Sequence, residues 1–204
     1  MNNNETIPVE ENVAWKSEKP NDVVVSLIES KIVNPGDKIL DEGCGFGANS
    51  NFLASEGVKV SAINIKYSEL QEARNRANTL GVKVNYDQAD VMELPFRDEE
   101  FDTVLDIGCT HMLETQNDQI IAARETTRVL KPGGYLLYFG FNKNHPAFQR
   151  DPDSPRFRNV EDVQVIYPKF SVIRSGEVRW ETKPEENSLD PEHVGTFILL
   201  QKKE

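Results

Sequence analysis

Hydrophobic and polar positions along the chain change period several times, and each change marks an element. Val24, Leu27, Ile28 and Ile32 recur at spacings of three, one and four, the stripe of an amphipathic helix, with Asn21 and Asp22 ahead of them as a cap. A turn at residues 34–37 delivers the chain to Ile39 and Leu40, a short buried strand with the acidic pair Asp41 and Glu42 at its end. Gly43, Gly45 and Gly47 make a turn, after which Ala48, Phe52 and Leu53 mark a second helix. Residues 58–64 read as the second strand. Tyr67, Leu70, Ala73, Ala77 and Leu80 then step by three or four along an amphipathic helix that Gly81 ends. Residues 82–86 alternate as a third strand, 101–106 form a fourth and 117–130 the next helix. A sharp turn at 131–134 leads into a fifth strand at 135–141. Strands alternating with helices at this spacing predict an α/β fold, its parallel sheet covered on both faces.

The last third changes character. Residues 142–158 hold Pro146, Pro152 and Pro155 and read as an irregular excursion, followed by a short helix at 160–167. Residues 170–180 and 194–202 look like two strands, and without a long helix between them they can pair antiparallel. No internal repeat or low-complexity tract interrupts the chain. A single domain over residues 1–204 is expected, with 1–14 polar and flexible, 35–141 as the ligand-binding core and 142–204 supplying an excursion and the closing strands.

Composition narrows the partners. The formal net charge of −11 over 204 residues argues against nucleic acid or an anionic membrane, both of which demand a basic footprint. No apolar run approaches the roughly 20 residues needed to span a bilayer, and the start of the chain lacks the basic and apolar regions of a secretory signal. Cys44 and Cys109 make neither a disulfide framework nor a zinc pattern, so a reducing cytoplasm is expected. Composition says nothing of oligomeric state.

Candidate chemistry gathers at the strand ends. Ligands of open α/β sheets bind off the carboxyl ends of the strands, where the glycine turn lies. Asp106, a carboxylate in an otherwise apolar strand, is expensive there unless paired or at a site. His111 follows it and could serve as a general base near neutral pH.

The stretch from Asp41 to Gly47, the strand ending at Asn64, the turn Ala89-Asp90-Val91, residues 101–106 and residues 128–134 together resemble the class I S-adenosylmethionine-dependent methyltransferases. The resemblance covers roughly residues 35–141, and the two closing strands match that family's final hairpin. It implies a Rossmann-like, doubly wound, seven-stranded sheet, mostly parallel with an antiparallel C-terminal strand. Trp15 with Pro20, Gly47-Ala48-Asn49 and residues 106–111 look, within the class, like the thiopurine, thiol and tellurite methyltransferases.

The resemblance implies roles residue by residue. S-adenosylmethionine would be the cofactor and a small molecule, with a thiol or related soft nucleophile, the substrate. The turn of Gly43, Gly45 and Gly47 would pass along the methionine part, with Asp41 near its ammonium. Asp90 would hold the adenine amino group, Ala89 and Val91 would flank the ring, and Ile65 would supply an apolar face. Asp106 would lie beside the methyl with both a cofactor and a catalytic role. His111, Trp15 and Phe141 would face the substrate, His111 as base. The family's acid for the ribose hydroxyls is replaced by Asn64, which lacks the charge that strengthens such bonds. On the sequence alone, restoring the acid by Asn64→Asp should leave cofactor affinity unchanged or improve it. Asn64 keeps alive a non-catalytic binding module. A nicotinamide-dependent oxidoreductase fits less well, since it expects Gly-x-Gly-x-x-Gly and an acid after strand two.

Overall fold

A computed structural model describes residues 19–182 and 189–204. Trp15 and the expected flexible start therefore lie outside the described residues, as does part of the connection around Pro184.

Helix α1 (Asp22–Glu29) is capped by the Asn21 side chain, which accepts from the Val23 N–H. Strand β1 (Lys38–Glu42) leads through the glycine turn into α2 (Ala48–Ser55), then β2 (Lys59–Asn64), α3 (Tyr67–Leu80) and β3 (Val84–Gln88). Strand β4 (Phe101–Ile107) is followed by a 3₁₀ turn at Thr110–Met112, α4 (Gln116–Val129) and β5 (Leu130–Phe141). A second 3₁₀ turn at Pro146–Gln149, α5 (Val160–Ile166), β6 (Phe170–Glu181) and β7 (Glu192–Lys202) complete the chain.

The seven strands form one sheet in the order β3-β2-β1-β4-β5-β7-β6. The first five are parallel, and β7 runs antiparallel to both β5 and β6. Strand alternation sorts the core into two layers. Ile39, Leu105, Leu137 and Leu199 pack under α1, α2 and α3, whereas their neighbours Leu40, Val104, Leu136 and Leu200 pack under α4 and α5. Near-continuous apolar strands are what a sheet covered on both faces requires.

One expected turn has a different form. Residues 131–134 belong to β5 as a bulge: Phe101 pairs with Leu130 and Thr103 already with Tyr135, so the ladder absorbs the intervening loop. A Cβ on Gly134 would meet the Asp102 carbonyl oxygen at 2.8 Å, which explains a glycine where the bulge presses on β4.

Candidate functional site

The carboxyl ends of β1, β2, β4 and β5 open into a cavity of about 520 Å³, within the size range of small-molecule sites. Gly43, Gly45, Asn64, Ile65, Ala89, Asp90, Val91, His111 and Phe141 line it, so the structure brings nine of the expected site residues together. A Cβ on Gly45 would meet nothing within 4 Å, so this backbone borders open space that a ligand can approach. Ile65 is 59% exposed at the rim, an apolar surface suited to a planar ring. One Asp90 carboxylate oxygen accepts from the Met92 N–H at 2.9 Å, which shapes the turn while the residue still lines the cavity. These features fit an elongated ligand with a flat apolar end, as S-adenosylmethionine is.

Three expected site residues do not line the cavity. Asp41 is fully buried and does not line the cavity; its carboxylate accepts from the Ser50 hydroxyl in the first turn of α2. Strand alternation turns it under that helix, whose start at Gly47 has no side-chain cap, and Asp41 supplies the missing acceptor. Gly47 is likewise absent from the wall and faces Tyr86 and Ala73 instead. Asp106 has no exposed surface, and its carboxylate accepts both the Thr110 N–H, at 2.9 Å, and the Thr110 hydroxyl. It locks the turn that carries His111.

Burial dominates the electrostatics of this strand end. It raises the Asp41 carboxyl to about 7 and that of Asp106 to about 6, the Ser50 and Thr110 bonds opposing the shift. Glu42, the cross-strand neighbour of Asp106, is pushed well above the usual carboxylate range by burial and then by Asp106 itself. The Thr126 hydroxyl lies 3.0 and 3.1 Å from the two Glu42 oxygens and 3.1 Å from the Ala122 carbonyl. A single hydroxyl proton cannot serve all three, so a protonated Glu42 donating to Thr126 satisfies the set. Burial also raises both cysteine thiols, which keeps them protonated and poor nucleophiles.

A pH signature follows for Asp41. Its folded pKa lies above the unfolded value of 3.8, so between there and about 7 the folded state holds a proton that the unfolded state has lost. Stability from this group is present at low pH and fades as pH rises through that window. Asp41→Asn stays neutral throughout and can still accept from Ser50. Its melting temperature relative to wild type should therefore improve from about pH 5 to about pH 8, and a constant gap in calorimetry would contradict the burial effect.

His111 is the unusual polar group. It is 2% exposed, and neither ring nitrogen has a hydrogen-bond partner. Burial first, and then Arg156, hold its pKa down at about 3, so the ring is neutral near pH 7. Its backbone is fixed as well: the Gln119 amide donates to the carbonyls of Leu113 and Pro155 at 3.3 and 3.0 Å, with the His111 carbonyl at 3.5 Å. Arg158 donates to the Gln119 oxygen at 2.5 Å, bracing the amide from the other side.

The chain's three histidines converge on Phe141, with ring centroids 5.2, 4.5 and 5.4 Å away for His111, His145 and His193. His145 Nδ1 accepts from the Ala147 N–H, which places its proton on Nε2 and directs it to His193 Nδ1 at 2.9 Å. Trp180 stacks on Phe141 at 6.1 Å, so β5, β6 and β7 supply one aromatic wall. Sequence reading missed Asn49, Glu69, Cys109, Phe139, Trp180 and His193 as lining residues. Trp180 and His193 come from the closing strands, and only the β5–β7–β6 pairing brings them here. Among the described residues no helix is long and apolar enough to cross a membrane, and no group of three His, Cys, Asp or Glu could hold a metal ion.

Known proteins resemble this chain in sequence and in fold. The "Methyltransferase domain" family profile matches residues 40–138. Methyltransferase GfsG of Streptomyces halstedii is 40% identical over 114 residues, 54% of this chain and 40% of that protein. The ubiquinone biosynthesis O-methyltransferase of Alkalilimnicola ehrlichii is 37% identical over 114 residues, 55% of this chain and 45% of that protein. The chain thus matches less than half the length of these two relatives. A solved S-adenosylmethionine-dependent methyltransferase of Methanosarcina mazei superposes with a TM-score of 0.74 at 21% identity, covering 86% of this chain and 97% of its own. The [4+2]-cyclase SpnF also reaches 0.74, at 18% identity and covering 97% of this chain and 84% of its own, so the fold alone does not fix an activity. Residues 40–138 thus match a methyltransferase family profile, the relatives in sequence are methyltransferases, and S-adenosylmethionine is the cofactor that these likenesses imply.

Proposed function

We propose that this chain transfers the methyl group of S-adenosylmethionine to a hydroxyl of a small, largely apolar acceptor, with His111 accepting a hydrogen bond from that hydroxyl and the proton leaving to solvent as the new bond forms. His111 is the observation that carries the reading. A buried imidazole with two unpartnered nitrogens costs about 1–3 kcal/mol per unsatisfied group, which a ligand hydroxyl would relieve. The ring is already neutral, so it can accept. The relative that is named for its acceptor is an O-methyltransferase. The finer resemblance points instead to a thiol, but a thiol ionises near neutral pH and needs little help from a base.

The cofactor supplies a methyl group on a sulfonium, already a strong donor, when bound. The protein then has to align the two reactants and orient the hydroxyl that gives up its proton. Gly43 and Gly45 would flank the methionine part; Ile65, Ala89 and Val91 would enclose the adenine, and Asp90 would face its amino group. Phe141 and Trp180 would hold the acceptor against His111, whose turn Asp106 fixes through Thr110.

The test is calorimetry with S-adenosylhomocysteine and NAD, then mass spectrometry of S-adenosylmethionine reactions with matched phenols and thiols. Binding of the first ligand and O-methylated phenols are expected. Methylated thiols alone would replace the hydroxyl reading by the thiol one. Binding without transfer to any acceptor would favour a binding module, and NAD binding an oxidoreductase.

A further inference from the structure

Asn64 ends β2 where an acid is expected, and the fold sets a carboxylate beside it. The Asn64 Nδ2 donates to Glu69 Oε2 at 2.6 Å, and both residues line the cavity. A carboxylate can only accept, so this bond fixes the amide, with Nδ2 on Glu69 and Oδ1 turned away from it. The other Glu69 oxygen lies 3.1 Å from Lys66 Nζ, so the carboxylate is held from two sides at the start of α3. The pair lies at the tip of β2 beside Ile65, and the Ala89 N–H donates to the Asn64 carbonyl at 3.4 Å, so the pair shares the cavity with the turn at Ala89 and Asp90.

We infer that Glu69 is the carboxylate that accepts from the ribose hydroxyls of S-adenosylmethionine, with Asn64 as a bracket that positions it and offers Oδ1 as a second acceptor. The charge missing from the end of β2 is thereby restored from five residues downstream. The inference concerns the cofactor side and is independent of the acceptor's chemistry. A first-turn acid also stabilises a helix start, so a purely structural Glu69 has to be distinguished by its ligand dependence.

The bond reverses the expectation for Asn64→Asp. Two carboxylates would then face each other at hydrogen-bond distance, so affinity should fall rather than improve. Exchanging both groups, Asn64→Asp with Glu69→Gln, returns one carboxylate and one amide to the same pair.

The experiment titrates S-adenosylhomocysteine and its 2′,3′-dideoxy analogue into wild type, Glu69→Gln, Asn64→Asp and the double variant, with melting temperatures recorded for each. Glu69→Gln should bind S-adenosylhomocysteine roughly 10–100-fold more weakly, the range for hydrogen bonds to a charged group. It should bind the dideoxy analogue like wild type. Asn64→Asp should also lose affinity, and the double variant should recover most of it. Unchanged S-adenosylhomocysteine binding in Glu69→Gln would overturn the inference, as would equal losses on both ligands or tighter binding by Asn64→Asp. Should Glu69→Gln melt early, the double variant decides alone: failure to recover discrimination between the two ligands rejects the ribose contact.

Discussion

Replacing His111 with alanine is expected to lower methyl transfer by about 10-fold, the scale of one lost hydrogen bond to the reacting hydroxyl. S-adenosylhomocysteine affinity should stay close to wild type, because His111 faces the aromatic wall and not the turns at Asn64 and Asp90. The loss should fall on kcat and on kcat/KM together, as for an interaction made in the transition state. A phenol should suffer more than a thiol, which supplies its own anion as pH rises. The wild-type pH profile carries a second signature. The His111 pKa is held at about 3, so the neutral ring, able to accept a hydrogen bond, persists at every pH above it. Lowering pH from about 7.5 to about 5 should therefore produce no fall in kcat/KM through this ring, whereas an exposed histidine would switch off near 6.5. Equal turnover of wild type and His111→Ala across that range would make the residue structural and leave the reaction to alignment alone.

Much of the scaffold was legible because its signals are local. The i, i+3, i+4 steps from Tyr67 to Leu80 became α3, and the apolar runs around Leu40 and Val104 became central strands. The glycine turn and the turn at Asp90 sit beside the strand tips, so position along the chain fixes their place at the cavity. Asp106 stays out of the cavity wall for a physical reason: a buried carboxylate signals a site or a partner, and its partner Thr110 lies only four residues away. Nothing in a linear pattern ranks those alternatives. Glu69 was hidden because a first-turn glutamate is ordinary, and only the Asn64 contact gives it meaning. Trp180 and His193 could not be assigned, since their approach to Phe141 depends on strand pairing across about 40 to 50 residues, and long-range register is not written locally. His111 stood out by type, yet its neutrality and its two unpartnered nitrogens come from burial by segments far away in sequence.

Gly45 and Gly47 lie two residues apart in one turn, both with left-handed backbones at φ of 52° and 77°, and their alanine variants should fail differently. Either substitution meets the strain of a side chain in that region, roughly 1–2 kcal/mol. At Gly47 the new methyl would also run into the Tyr86 hydroxyl and lie 2.9 Å from the Ala73 methyl. The Tyr86 hydroxyl donates to Asn51 Oδ1 at 2.8 Å in a buried setting, so displacing it adds about 1–3 kcal/mol. Gly47→Ala should therefore destabilise by roughly 2–5 kcal/mol, or about 5–15 °C in melting temperature for a chain of this size. Gly45→Ala meets no neighbour within 4 Å, so its stability loss should be confined to the backbone strain. Its methyl instead enters the cavity, and S-adenosylhomocysteine affinity should fall by more than the change in stability would suggest. Thermal melts and calorimetric titrations of the two variants side by side make the comparison. A Gly47→Ala protein that melts no lower than Gly45→Ala would mean that Tyr86 yields easily, and the distinction between a fold glycine and a ligand glycine would be lost.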